Sequence, residues 1–321
     1  MWLSAYYLVV FVVFPLFFQN HIGNSTFLGY NHGKYFIIFL FHGRLHNAFI
    51  YCFFVSVILH NLFVHICQRS TFMLDNITFS NSMNTYPIYA DLHTHSISSG
   101  HGSCDTITDM LKAASDRGLS LLGISEHGPA SIGSAKTSYF QSLKLASRNR
   151  FGIHILYGCE LNIISAAGDV DLDDDTLSTL DYAIISIHPP ILKPYSLPDF
   201  TQCYINAVKH PNVRFLGHID DARFPVDFEY LLEIAKKNHI YPEINNGSLM
   251  PDAYRVNGPT NCRKILKICK KLELPILLSS DSHGTKNIGN MQYAIPLLNE
   301  IDFPSRLVLN TSASSILHIL Q

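Results

Sequence analysis

The chain has 321 residues, 47% of them hydrophobic, which is enough for one large domain plus an extension. A net charge of −2 and a pI near 6.8 offer no basic stripe of the kind nucleic-acid binders carry. Seven scattered cysteines without a Cys-x-x-Cys pair indicate neither a disulfide framework nor a zinc ribbon, so reduced thiols in the cytoplasm are expected.

Residues 1–72 read as a hydrophobic extension unlike the remainder. They hold no Asp or Glu, and only Lys34, Arg44 and Arg69 as fixed positive charges. Trp2 to Phe18 just reaches membrane-spanning length, Tyr35 to Phe41 is a shorter apolar patch, and Ala48 to Cys67 is a second run weakened by His60, Asn61 and His65. A signal peptide fits poorly, since no basic region leads the first run and no small-residue cleavage site follows it. One reading is a membrane anchor with the catalytic domain in the cytoplasm, in weak agreement with the positive-inside rule through Arg69. The other is a mis-assigned start, with translation beginning near Met73 or Met83, and the uncharged, aperiodic composition suits it better. Either way the working domain is read as 84–321.

That domain alternates strands and helices. Ile88-Tyr89-Ala90 is a short buried strand running into Asp91-Leu92-His93-Thr94-His95-Ser96, and alternation points both imidazoles to one face. His101 follows in the next loop. Thr106, with Asp109 three residues on, predicts a helix start, and Gly118 its end. Further strands run into Glu126-His127, Glu160, His188, His218 and Asp281-Ser282-His283, while Tyr241 to Asn246 ends in polar residues without a histidine. Phe228 to Asn238 has helical spacing at Phe228, Leu231, Leu232 and Ala235, and Thr260 is read as the cap of a helix through Leu272. About seven such units predict a closed, parallel (β/α) barrel whose active face lies at the C-terminal strand ends. Taken singly, His188 or His218 is more often a hydrogen-bonded loop histidine, and Glu160 a cap or ion-pair partner. Nine borderline or hard metal ligands at successive strand ends point instead to metal binding.

Asp-Leu-His-x-His-Ser, the following His101, Glu126-His127-Gly128, Gly158-Cys159-Glu160, Ile187-His188, Gly217-His218 and Ser280-Asp281-Ser282-His283 resemble the polymerase and histidinol phosphatase (PHP) family. The spacing is most similar to its small, free-standing bacterial phosphatases of the YcdX type. The resemblance covers Ile88 to the C-terminus. It implies a distorted (β/α)7 TIM-like barrel around three divalent metal ions, zinc foremost, with manganese or iron as alternatives. Position by position, it implies one ion on His93, His95, Glu160 and Asp281. A second would be shared through Glu160 with His188 and His218, and a third held by His101, His127 and His283. Glu160, Asp281 and His188 would act in catalysis through the bound metals. Asp91 and Glu126 are candidates for orienting an imidazole through its second nitrogen. Family members often have Asp where Glu126 stands and Pro where Ile219 follows His218.

The chemistry expected is hydrolysis of a small phosphorylated substrate, a phosphomonoester, by hydroxide made available near neutral pH by paired ions. Arg223, Arg255 and Lys286, with Lys193, lie in loops from which a cation can grip phosphate, although a solvated surface role is the commoner one for such residues. Asp220-Asp221 reads as a loop cap or supporting pair, and Ser282 as a turn residue. Histidinol phosphate, phosphotyrosine and the 3′ ends of nucleic acids are alternative substrates within the family; the last is disfavoured by the missing basic surface and polymerase domains. From other classes come a non-catalytic regulatory metal module and a membrane-embedded sensor. Gly-x-Ser-x-Gly and phosphate-cradling Gly-rich loops are absent from the sequence.

Overall fold

The computed structural model describes residues 21–22, 25–32, 35–42, 86–195 and 199–321. The chain divides into two units, Met1–Asn81 and Ser82–Gln321. In the first, His21–Ile22 (β1), Ser25–His32 (β2) and Tyr35–His42 (β3) form an antiparallel sheet in that order, with Ser25 opposite His42 and His32 opposite Tyr35. The apolar patch at Tyr35 to Phe41 is thus strand β3, whereas Trp2 to Phe18 and Ala48 to Cys67 lie outside the described residues. Among the described residues, no helix is long and apolar enough to cross a membrane.

The strands of the second unit are Ala90–Asp91 (β4), Thr94–His95 (β5), Leu121–Ile124 (β6), Asn149–Arg150 (β7), Ile153–Asn162 (β8), Tyr182–Ser186 (β9), Val213–Leu216 (β10), Tyr241–Asn245 (β11), Leu277–Ser279 (β12) and Ser282–His283 (β13). Seven of them pair in parallel and in chain order, β4-β6-β8-β9-β10-β11-β12, and β7 adds an antiparallel flank to β8. The first and last strands of this nearly closed sheet are joined at several points. Above, β13 continues β12 and β5 continues β4, and these two pair with Ser282 opposite Thr94 and His283 opposite His95. Below, the side chain of Asn310 stands between the strands: its amide donates to the carbonyls of Ala90 (2.9 Å) and Leu278 (2.8 Å) and accepts from the Leu278 N–H (2.7 Å).

Helices lie outside the sheet, and their apolar faces meet the outward strand residues. Ile107–Asp116 starts with the Thr106–Asp109 capping box and buries Met110, Leu111 and Ala114. Phe228–Lys237 buries Leu231, Leu232 and Ala235. The next helix, Gly258–Leu272, begins two residues before the expected Thr260 cap: Asn257, at φ +61°, is its N-cap, and Pro259 fits the first turn because its missing N–H is not needed there.

A smaller core fills the barrel. Ala90, Leu92, Leu121, Leu156, Tyr182, Ile184, Phe215 and Leu277 point inward, and Leu309 and Ile316 join them from the C-terminal segment. The Tyr182 ring crosses this space and its hydroxyl donates to the Leu92 carbonyl at 2.5 Å. The ring fits because Gly158 opposite has no side chain: a Cβ there would stand 2.6 Å from the ring. Gly158→Ala is therefore expected to destabilise the fold by about 2 kcal/mol through overpacking, read as a lower urea midpoint at unchanged slope. An unshifted midpoint would show that the ring can move aside.

Candidate metal centre

The strand carrying Glu160 is ten residues long, and this length lifts the carboxylate past the apolar interior into the middle of the C-terminal face. Glu160 Oε1 lies 2.8 Å from His218 Nε2 and 3.2 Å from His188 Nε2. Its Oε2 lies 2.6 Å from His127 Nδ1, 3.3 Å from His93 Nε2 and 3.5 Å from His95 Nε2. Asp281 Oδ1 is 3.3 Å from His95 Nε2 and 3.6 Å from His93 Nε2. The His101 ring stacks on His127 at 4.7 Å between centroids and lies 5.1 Å from His283. All nine residues singled out at the strand ends converge on one cluster. His218 and Asp281 hold left-handed backbone conformations, φ +30° and +52°, each costing on the order of 1 kcal/mol for a non-glycine residue. Such strain persists only where the surroundings over-determine the position.

The cluster is rich in donor atoms that lack protein partners. His93 Nε2, His95 Nε2, both ring nitrogens of His127, His283 Nε2 and Glu160 Oε2 are buried without a hydrogen bond; His127 Nδ1 and Glu160 Oε2 are close but poorly aligned. Unpartnered buried polar atoms are costly. Three sets of donor atoms each lie within 4.8 Å of one another: His95, His127 and His283; His93, His95 and Asp281; His127, Glu160 and His188. Burial, then His127 and His283, holds the His95 imidazole well below the ordinary range, and burial also lowers His218, His283 and His101. For Glu160 and Asp281 burial pushes up, but His93 and its neighbours outweigh it and keep both carboxyls well below the usual carboxylate range. Imidazole nitrogens beside ionised carboxylates are the donor set that zinc, iron or manganese takes, so the residues fit divalent ions.

Around the cluster, a further layer fixes ring orientation. Glu243, fully buried in β11, sits 2.5 Å from His93 Nδ1 and accepts from the backbone N–H of His218 at 2.7 Å and from the Ser279 hydroxyl. His93 is pulled down by burial but raised more by Glu243, Glu160 and Asp281, and ends well above the ordinary imidazole range. Asn162 Oδ1 lies 2.7 Å from His188 Nδ1. Sequence reasoning missed both residues. For Glu243 a signal existed, since a carboxylate inside an apolar strand needs a partner. Neither of the two acidic residues read as orienters hydrogen-bonds an imidazole directly, and Glu126 reaches one through a serine. Asp91 accepts from the N–H groups of Ser280 (3.3 Å) and Gly289 (2.8 Å) across the barrel seam. Glu126 binds Ser96 and Ser99, and Ser99 in turn meets His95 Nδ1 at 3.0 Å.

Of the loop cations, Arg255 reaches the cluster, donating to Asp281 Oδ2 at 2.7 Å and to Ser248 at 3.3 Å. Arg223 is clamped on Asp221 and lies 4.3 Å over the Tyr254 ring. Lys286 is exposed, and its carbonyl accepts from Arg117 at 2.7 Å; Lys193 is exposed as well. Ser282 donates to the Gly284 carbonyl at 2.6 Å and accepts from Asn287 N–H, tightening its turn.

Fold and site together define a parallel β/α barrel with a histidine–carboxylate cluster at its C-terminal face. Residues 91–247 match the PHP domain. The chain is 36% identical over 231 residues to a probable phosphatase of Clostridium acetobutylicum, covering 72% of this chain and 93% of that one. A probable phosphatase of Clostridium botulinum strain Langeland is 37% identical with the same coverage. The chain belongs to the PHP family. Among solved structures, the histidinol phosphate phosphatase of Lactococcus lactis, complexed with zinc, L-histidinol and phosphate, covers 68% of this chain and 93% of its own at 16% identity and a TM-score of 0.45.

Proposed function

We propose that the protein is a metal-dependent phosphatase hydrolysing small phosphomonoesters at a site of three divalent ions, zinc foremost. The observation that carries this is Glu160: one fully buried carboxylate whose two oxygens face five imidazoles. A carboxylate so placed suits a bridge between two ions, with His93, His95 and Asp281 on one side and His188 and His218 on the other. His101, His127 and His283 would hold the third. Bound ions supply Lewis acidity toward phosphoryl oxygens and lower the pKa of water.

The chain's own residues prepare the site. Arg255 and Asn245 occupy Asp281 Oδ2 and so leave Oδ1 turned to His93 and His95. Glu243 takes His93 Nδ1, so that Nε2 faces inward. His188 and His283, with side chains 18% and 25% exposed, mark the open side where a phosphate enters. Arg255 adds a cation beside that opening, and Arg223 and Lys286 are the further phosphate-binding candidates. The naming of curated relatives as probable phosphatases supports the reading.

The test is metal content per chain together with hydrolysis of p-nitrophenyl phosphate. About three ions and chelator-sensitive turnover are expected; a folded chain that takes up no metal would end the proposal. A pH dependence follows as well. Metal binding must displace the proton that His93 holds above the ordinary imidazole range. Apparent affinity is thus expected to fall by about tenfold per pH unit once pH drops below the folded-state pKa of His93, with about one proton released per ion bound there. Calorimetry in two buffers of different ionisation enthalpy reads the proton count, and zero release would contradict this account.

A further inference from the structure

Asp171 lies outside the cluster, on the segment between β8 and β9, and makes three hydrogen bonds. Its Oδ1 accepts from the backbone N–H of Asn162 at 2.9 Å. Its Oδ2 accepts from the Ala130 N–H at 2.9 Å and stands 2.6 Å from the Asn162 side-chain amide. A Cβ on Gly128 would fall 2.3 Å from this carboxylate, so only glycine lets it press against the loop that follows His127.

These contacts decide a proton position. An asparagine amide can be turned either way unless its partners choose. Ala130 and Asn162 present backbone N–H groups, which only donate, so both oxygens of Asp171 are acceptors. The Asn162 atom facing Oδ2 must then be the NH2 group, and the atom facing His188 must be the carbonyl oxygen. Ser131, at 3.2 Å from Nδ2 and 3.4 Å from Oδ1, has a hydroxyl that serves either orientation and does not choose. A carbonyl oxygen 2.7 Å from His188 Nδ1 requires a proton on Nδ1. In the neutral ring, the form that binds a metal, that leaves the lone pair on Nε2, the atom turned toward Glu160.

We infer that Asp171 is a positioning residue that, through Asn162, sets the tautomer of His188 and thereby its metal-donor atom. The inference rests on the reading of His188 as a metal ligand. Asp171→Asn would present an amide that can offer N–H to Asn162, letting the Asn162 amide turn over and offer its own N–H to His188 Nδ1. The donor lone pair would then sit on the wrong nitrogen.

The test uses the full chain labelled with 15N-histidine, metal-free and with zinc added, in long-range proton–nitrogen correlation spectra. His188 is expected to carry its proton on Nδ1 in both states, with zinc shifting Nε2. In Asp171→Asn the affinity of the His188-dependent ion is expected to fall by roughly 10- to 100-fold, the usual effect of removing such a partner. A proton on Nε2 of His188 in the unsubstituted chain overturns the inference without any variant having to fold. Unchanged zinc affinity and an unchanged tautomer in Asp171→Asn overturn the role of Asp171. If zinc moves no ring nitrogen at all, the metal reading is what fails, and the metal-free spectrum still decides the tautomer.

Discussion

Glu160→Gln is expected to lower phosphatase turnover by on the order of 10³-fold and to strip at least one ion from the chain. The glutamine has the size of the native side chain, so the barrel has no reason to repack. It removes the negative charge that five imidazoles surround, and it converts one oxygen into an N–H donor. That donor must face either the His188–His218 pair or the His93–His95–His127 group, and there it competes for a lone pair needed by a cation. Charge stabilisation by metals is worth several kcal/mol, and about 1.4 kcal/mol is tenfold in rate, which sets the expected scale. Metal analysis and p-nitrophenyl phosphate hydrolysis on the same sample, with circular dichroism to check folding, read the result. A folded variant with full metal content and native turnover would show that Glu160 does not bridge.

The largest loss of stability is expected from Asn310→Leu, at about 3 kcal/mol or more. Asn310 is fully buried, and its side chain serves the carbonyls of Ala90 and Leu278 and the N–H of Leu278. Leucine is similar in size but offers no hydrogen bond. Three backbone groups between the first and last strands are then left without partners, at roughly 1–3 kcal/mol each before relaxation. Urea denaturation reads the loss, and a change under about 1 kcal/mol would mean that water or a strand shift replaces the amide.

The cluster was legible in the sequence because the barrel writes it plainly. Each buried strand is an apolar run, and a His, Glu or Asp directly after such a run has to stand at the C-terminal rim. The supporting residues were not legible, because their roles depend on contacts between distant segments. Asn310 looks like any loop asparagine until Ala90 and Leu278 come to flank it. Asn162 and Asp171 lie on one segment, but their meaning depends on Ala130 and His188. Glu243 could have been found, as a charge inside a strand between apolar Pro242 and Ile244. The Thr260 cap was misplaced because Asn257-Gly258-Pro259 reads as a loop, whereas a left-handed Asn257 followed by Pro259 starts the helix. Among the loop cations, sequence position gave no way to tell Arg255, which meets Asp281, from Arg223, which turns to Asp221.

The pairing of β5 with β13 has a consequence for how the protein comes to hold metal. Those strands carry His95 and His283, and the nearby seam contact between Asp91 and Ser280 joins residues 189 positions apart. Contacts of such long range are favourable only after most of the chain has been ordered. Ring closure and assembly of the cluster are therefore expected to be one late event, and a chain stopped short of it would hold only part of the donor set. By linkage, an ion that binds only the closed ring stabilises it over its opened forms. Its presence should be felt most as slowed hydrogen exchange at the amides of Ser280, Ser282 and Gly289, the local opening that lets the first and last strands part.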